Sequence, residues 1–181
     1  MRVVAGTARG RRLQAPEGTG VRPTGDRVRE AIFDMLGSLG GVEGRSVADL
    51  FAGTGALGIE ALSRGAAHAT FVDDDASVLD VVRTNLVLTG LYARATVVKA
   101  DVLDWVAAAS PVDLALVDPP YAFEAWPQLL DRLPARLAVL ESDRELDPGP
   151  AWDVRRAKRY GGTVVTLAAP AAGPDDEKGS E

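Results

Sequence analysis

Between residues 46 and 117 the sequence alternates short apolar runs with longer stretches whose apolar residues recur at helical spacing. The runs cover 46–51, 69–73, 95–99 and 112–117, and the intervening helices are expected over 56–64, 76–89 and 102–109. A strand that returns through a helix to the next strand builds a parallel sheet with both faces covered. A helix over 124–133 and a strand over 136–141 continue the pattern. The last two strands, 152–160 and 163–167, are separated only by Gly161 and Gly162, which makes them an antiparallel hairpin. The expected architecture is α/β and Rossmann-like: seven strands, mostly parallel, with an antiparallel C-terminal hairpin.

Ahead of this pattern, the stretches 2–5 and 11–15 flank Gly6, Thr7, Ala8, Arg9 and Gly10, a small N-terminal β-hairpin with a basic tip. A Gly- and Pro-rich loop over 16–23 follows, and Thr24 offers an N-cap for a helix with the apolar face Val28, Ala31, Ile32, Met35, Leu36, Leu39 and outward arginines. The chain divides into a basic hairpin and loop (1–23), a main domain (24–167) and a disordered acidic tail (168–181). With 181 residues there is room for one well-packed domain, not two.

The net charge is −6, yet the first thirty residues hold seven arginines against three acids. Arg9, Arg11 and Arg12 cluster at the hairpin tip, and Arg22, Arg27 and Arg29 flank the helix start, a placement suited to phosphate contacts. There is no cysteine and a single histidine, His68, so no metal cofactor is expected. His68 and the three tryptophans read as structural. No apolar run reaches membrane-span length and the N-terminus carries no signal-peptide core, so a cytoplasmic protein is expected.

The loop from Asp49 to Gly58 (Asp49, Leu50, Phe51, Ala52, Gly53, Thr54, Gly55, Ala56, Leu57, Gly58) links the first strand of the main domain to its first helix. Gly53, Gly55 and Gly58 satisfy the GxGxxG pattern of dinucleotide binding, and Asp73 lies at the end of the next strand, placed for a ribose hydroxyl. Three carboxylates favour S-adenosylmethionine over a nicotinamide dinucleotide. Asp49 can meet a cationic methionine end, Asp101 follows the third strand where an adenine amine could be read, and Asp118 closes the site. A pyrophosphate is repelled by such a set. For Asp74 and Asp75 a helix N-cap and solvated charge are the simpler reading.

Asp118, Pro119, Pro120 and Tyr121 end the fourth strand. An amine conjugated to a base or amide must pyramidalise and become partly positive to attack a methyl group. Asp118 offers a carboxylate and Pro119 a carbonyl to stabilise that charge, and Tyr121 offers a flat face. The two prolines restrict the backbone and hold the Pro119 carbonyl in one direction.

Four blocks, residues 2–13, 22–30 (Arg, Pro, Thr, Gly, Asp, Arg, Val, Arg, Glu), 49–64 and 118–121, resemble the RsmD family of bacterial methyltransferases acting on N2 of one guanine in 16S ribosomal RNA. The resemblance extends to about Leu167. It implies a class I methyltransferase fold, S-adenosylmethionine at the glycine loop, the guanine amine at Asp118 and Pro119, and a hairpin that touches 16S RNA within a small ribosomal subunit or assembly particle. Ala5 stands where the family usually has Gly, and Asp73 where it often has Glu. The competing readings are a methyltransferase of another planar amine (DNA adenine or protein glutamine), an NAD-dependent oxidoreductase, and an idle nucleotide-binding module.

Overall fold

The computed structural model describes residues 1–15 and 25–172. Within them, one sheet holds β1 (Ser46–Leu50), β2 (His68–Asp73), β3 (Ala95–Lys99), β4 (Leu114–Val117), β5 (Ala138–Ser142), β6 (Trp152–Tyr160) and β7 (Thr163–Pro170). The strand order is β3-β2-β1-β4-β5-β7-β6, parallel through β5, with β7 antiparallel to both of its neighbours. Five helices, α1 (Asp26–Gly37), α2 (Ala56–Ser63), α3 (Ala76–Thr89), α4 (Val102–Ala108) and α5 (Trp126–Arg132), cover the two faces. Ile32 of α1, Ile59 of α2 and Leu79 of α3 share one core with Phe71 and Leu116, whereas Val106 of α4 and Leu129 of α5 share another with Val72 and Val117. The chain winds outwards from β1 to β3 and then crosses back to β4 on the other side of β1. That reversal opens a crevice beyond the C-terminal ends of β1 and β4.

Several boundaries differ from those expected. β7 runs to Pro170, with Ala168 and Ala169 paired to Val154 and Asp153, so the tail does not begin at 168. Small alanines that read as low-complexity tail fit a strand flanked on both sides. β4 begins at Leu114, because Asp113 turns its carboxylate to accept from the Ser46 amide and hydroxyl at 2.9 and 2.8 Å. α1 ends at Gly37 and leaves Leu39 exposed. Its N-cap position is Gly25, without a side-chain cap, and the expected cap Thr24 lies outside the described residues.

The N-terminal hairpin is a turn with one bridge, Arg2 to Arg12, rather than a ladder. Its positive φ falls at Gly6 and Gly10, so Ala5 needs no glycine geometry. A Cβ on Gly6 would stand 1.9 Å from the Ser63 carbonyl oxygen, which shows how closely the hairpin docks on α2. The fully buried Glu60 carboxylate accepts the amides of Val4 and Ala5 at 2.8 and 2.9 Å. Ser63 donates to the Ala5 carbonyl and accepts from the Ala8 amide.

Arg29 departs from the outward placement expected of it. It is fully buried, pairs with Asp26 at 2.8 Å and Glu60 at 3.5 Å, and donates to the Arg2 carbonyl. Helical spacing alone does not separate it from Arg27, which is exposed. Replacing Arg29 by Ala removes one cation from the buried Glu60 carboxylate, leaving it Arg64 and two amides, and empties a fully buried site, so urea unfolding should show a loss of about 3 kcal/mol. Arg27→Ala should stay within about 0.5 kcal/mol of the parent.

Candidate active site

Leu50, Val72, Val117 and Leu140 stand in one row across β1, β2, β4 and β5. The residues that directly follow them, Phe51, Asp73, Asp118 and Glu141, come at the C-terminal lip of the sheet. They line a cleft of about 910 Å³ together with Gly25 and Val28 at the start of α1 and the turn Tyr160 to Thr163. Phe51 is the one described non-glycine residue with positive φ, at 60°. This twist breaks the alternation and sends its ring towards Phe123, 5.1 Å away edge-to-face, which in turn meets Trp126 at 5.4 Å. The aromatic chain anchors the loop after β4, and the Phe123 amide donates to the Pro120 carbonyl across its turn.

Asp49 lies one step deeper, 2 % exposed, and accepts the Gly58 amide at 2.8 Å. The first turn of α2 therefore already holds a carboxylate from its own chain. Gly58 does not line the cleft: an added Cβ would sit 2.4 Å from Phe71 Cε1 and 2.9 Å from Asp49 Oδ2. Its role is close helix-to-strand packing. Gly55, with φ of 75°, shapes the turn into α2 from behind the cleft wall. Ala52, Gly53 and Thr54 do face the cleft.

Asp73 accepts the amides of Gly53 and Asp75, each at 3.1 Å, which fixes the glycine loop to β2. Two bonds leave lone pairs on both oxygens for a ligand hydroxyl. Asp75 caps α3 through the Ser77 amide, and Asp74 joins the cleft wall. Asp101 is placed otherwise than expected. Its carboxylate caps α4, accepting from Leu103 and Asp104 at 2.7 and 3.2 Å, and it is not among the residues lining the cleft.

Asp118, Pro119, Pro120 and Tyr121 all line the cleft, with Tyr121 47 % exposed. Glu141 also lines it, was not marked by any motif, and is 4 % exposed. A sequence signal existed in the polar Glu141–Ser142 pair closing an otherwise apolar strand. Burial pushes the Asp49 carboxyl well above the usual carboxylate range against the lowering bond from Gly58, with Asp118 and Asp73 raising it further. Glu141 is pushed well up by burial first, then by Asp118 and Asp49, while Arg29 acts in the opposite sense. Burial raises Asp73 as well, against the bonds from Asp75 and Gly53.

Of the arginines expected to meet RNA, Arg9 and Arg12 are exposed on the hairpin. Arg11 donates to the Leu88 carbonyl at 3.1 Å, Arg29 is buried, and Arg22 lies outside the described residues. A second basic set went unmarked: Arg155, Arg156, Lys158 and Arg159 are exposed along the edge strand β6, which leads into the cleft-lining Tyr160. The run of four cations in five residues was readable, although charged edge strands also serve to block sheet extension.

Residues 1–169 match the family described as "Conserved hypothetical protein 95". "Ribosomal RNA small subunit methyltransferase D" of Escherichia coli K12 is 40% identical over 92% of this chain and 88% of that protein. The chain belongs to the RsmD family. "Putative rRNA methyltransferase YlbH" of Bacillus subtilis is 38% identical over 92% of this chain and 97% of its own. Among solved structures, "Putative methyltransferase yhhF" of Escherichia coli superposes with a TM-score of 0.82 and 34% identity, covering 96% of this chain and 99% of that one. The RsmD-family chain thus has the class I methyltransferase fold.

In this RsmD-family chain the raised carboxyls have a consequence for stability. Their folded-state pKa values exceed the unfolded ones, so the folded protein binds more protons within that window and loses stability as pH rises through it. Asp75 and Asp113, both lowered mainly by hydrogen bonds from Ser77 and Ser46, act only as pH falls below the ordinary carboxylate range. The melting temperature of the ligand-free protein should therefore fall as pH rises above the ordinary carboxylate range. The double variant Asp49→Asn, Glu141→Gln should flatten that slope in a thermal melt series.

Proposed function

We propose that this chain transfers a methyl group from S-adenosylmethionine to the exocyclic N2 amine of a guanine in small-subunit ribosomal RNA. The observation that carries the reading is the state of the α2 N-terminus. In a dinucleotide site those amides receive a pyrophosphate; here the Asp49 carboxylate already accepts one of them, and Asp73, Asp74 and Asp118 surround the same space. The cleft is made for a cation. A sulfonium ligand fits that donor set, and the opened backbone at Gly53 admits it closely.

Asp49 and the loop Ala52 to Thr54 would hold the methionine end, and Asp73 the ribose hydroxyls. When bound, S-adenosylmethionine supplies an electrophilic methyl group and leaves as S-adenosylhomocysteine. Asp118 and the Pro119 carbonyl accept the amine hydrogens, which favours a pyramidal nitrogen with its lone pair directed at the methyl carbon. As the new N–C bond forms, the charge on nitrogen develops against the Asp118 carboxylate, and the surplus amine proton leaves along that hydrogen bond. Tyr121, half open to solvent at the cleft mouth, gives the base a face to stack on. The names of the relatives support ribosomal RNA as the substrate, and the resemblance in the 22–30 block supports guanine N2.

Incubation with labelled S-adenosylmethionine and undermodified small subunits, followed by nucleoside mass spectrometry, should yield N2-methylguanosine; label in any other nucleoside overturns the proposal. Asp118→Ala should lower turnover by about 10²–10³ while cofactor affinity stays near the parent value. Asp73→Ala, in contrast, should weaken cofactor binding by about 1.5–3 kcal/mol in calorimetry. An Arg9→Ala, Arg12→Ala double variant should bind substrate RNA more weakly and with a shallower salt dependence, by about 1.5 in the log–log slope if both touch phosphates, yet modify the same nucleoside.

A further inference from the structure

Glu141 ends β5 with its Oε1 buried and without a hydrogen-bond partner among the described residues. It is 4 % exposed and lines the cleft. The register pairs Val117 with Leu140 on neighbouring strands, and Asp118 and Glu141 are the residues that directly follow that pair, both lining the cleft, where neighbouring strands lie about 4.8 Å apart. The strand order puts the glycine loop and Asp73 on the opposite side of Asp118, over β1 and β2. Glu141 therefore borders the part of the cleft that the cofactor leaves to the base. A buried acceptor with no donor is costly, and the missing donor must come from whatever enters.

We infer that Glu141 reads the N1–H of guanine while Asp118 holds the neighbouring N2 amine, so that two carboxylates one strand apart select this base. The inference rests on the guanine reading above and names the residue that enforces it. Among the amino-bearing bases, guanine presents a second donor, N1–H, directly next to its amine. Adenine and cytosine each present a ring-nitrogen lone pair there, which a carboxylate repels. An enzyme that takes a base out of its stack reads it by that Watson–Crick edge. With the cationic cofactor in the cleft favouring its ionised form, Glu141 excludes the wrong amines by leaving a lone pair facing a lone pair.

The test uses the full chain and small-subunit RNA carrying either guanine or 2-aminopurine at the methylated position. 2-Aminopurine keeps the N2 amine but replaces N1–H by an acceptor. The wild type should prefer guanine in kcat/KM by about 10⁴-fold, as expected of a site built around a substrate N–H. Glu141→Gln keeps the shape, and its amide can turn either oxygen or nitrogen to the base, so the preference should shrink by at least about 10²-fold in kcat/KM measured at saturating cofactor. Glu141→Leu should lose the preference through slower guanine turnover. Equal rates on both bases by the wild type overturn the assignment without any variant, even if both variants fail to fold. A preference that survives in Glu141→Gln overturns it as well. In both of those cases guanine is methylated and the proposed function stands; a wild type that leaves guanine N2 unmodified overturns both.

Discussion

One buried carboxylate, Glu60, holds three parts of the molecule in place. It accepts two amides of the N-terminal hairpin, meets Arg29 from α1, and receives Arg64 from its own helix at 2.8 Å. A charge taken out of water is tolerated only when its partners are complete, so the hairpin, α1 and α2 dock as a set. The consequence reaches the cleft, because Gly25 and Val28 at the start of α1 line it. The arrangement that places the basic hairpin also places one side of the active site.

The site itself follows from a conflict of charges at the switch point of the sheet. Parallel strands bring their C-terminal ends together, and here β1, β2, β4 and β5 each deliver an acid. In the absence of a cation these groups repel one another and sit in poor solvent. Under the proposed function, that repulsion would be relieved by the cationic cofactor and by an amine that becomes positive as it reacts. A packed sheet supplies rigidity, so the acids cannot move apart, and the energy of their proximity is available to the ligand.

Much of this was legible in the sequence, for stated physical reasons. Alternation of apolar runs with helical spacing located the sheet, and Asp118 to Tyr121 was visible because prolines and acids rarely end an apolar strand together. Arg29 was misplaced because charge predicts exposure unless a partner is known, and Glu60 lies thirty-one residues away in the chain. Asp101 was read only as an adenine contact, although an acid after a strand serves equally well as a helix cap, the use its carboxylate has at the start of α4. Gly58 matched a binding pattern yet packs behind the cleft, a distinction made by Phe71 on another strand. Glu141 carried no motif; its meaning comes from the neighbouring strand, which register supplies and spacing does not.

The side chain of Asn85 on α3 makes one more connection. Its Oδ1 accepts the Gln14 amide at 2.7 Å, while its Nδ2 donates to the carbonyls of Gln14 and Thr54 at 3.0 and 2.9 Å. A carboxamide here imitates a peptide group, adding a single rung to the outgoing arm of the hairpin where no strand is present. The same rung is shared with the glycine loop. The chain entering the segment after residue 15 and the backbone of the glycine loop are thus measured by one amide, and neither can shift without straining a bond to it.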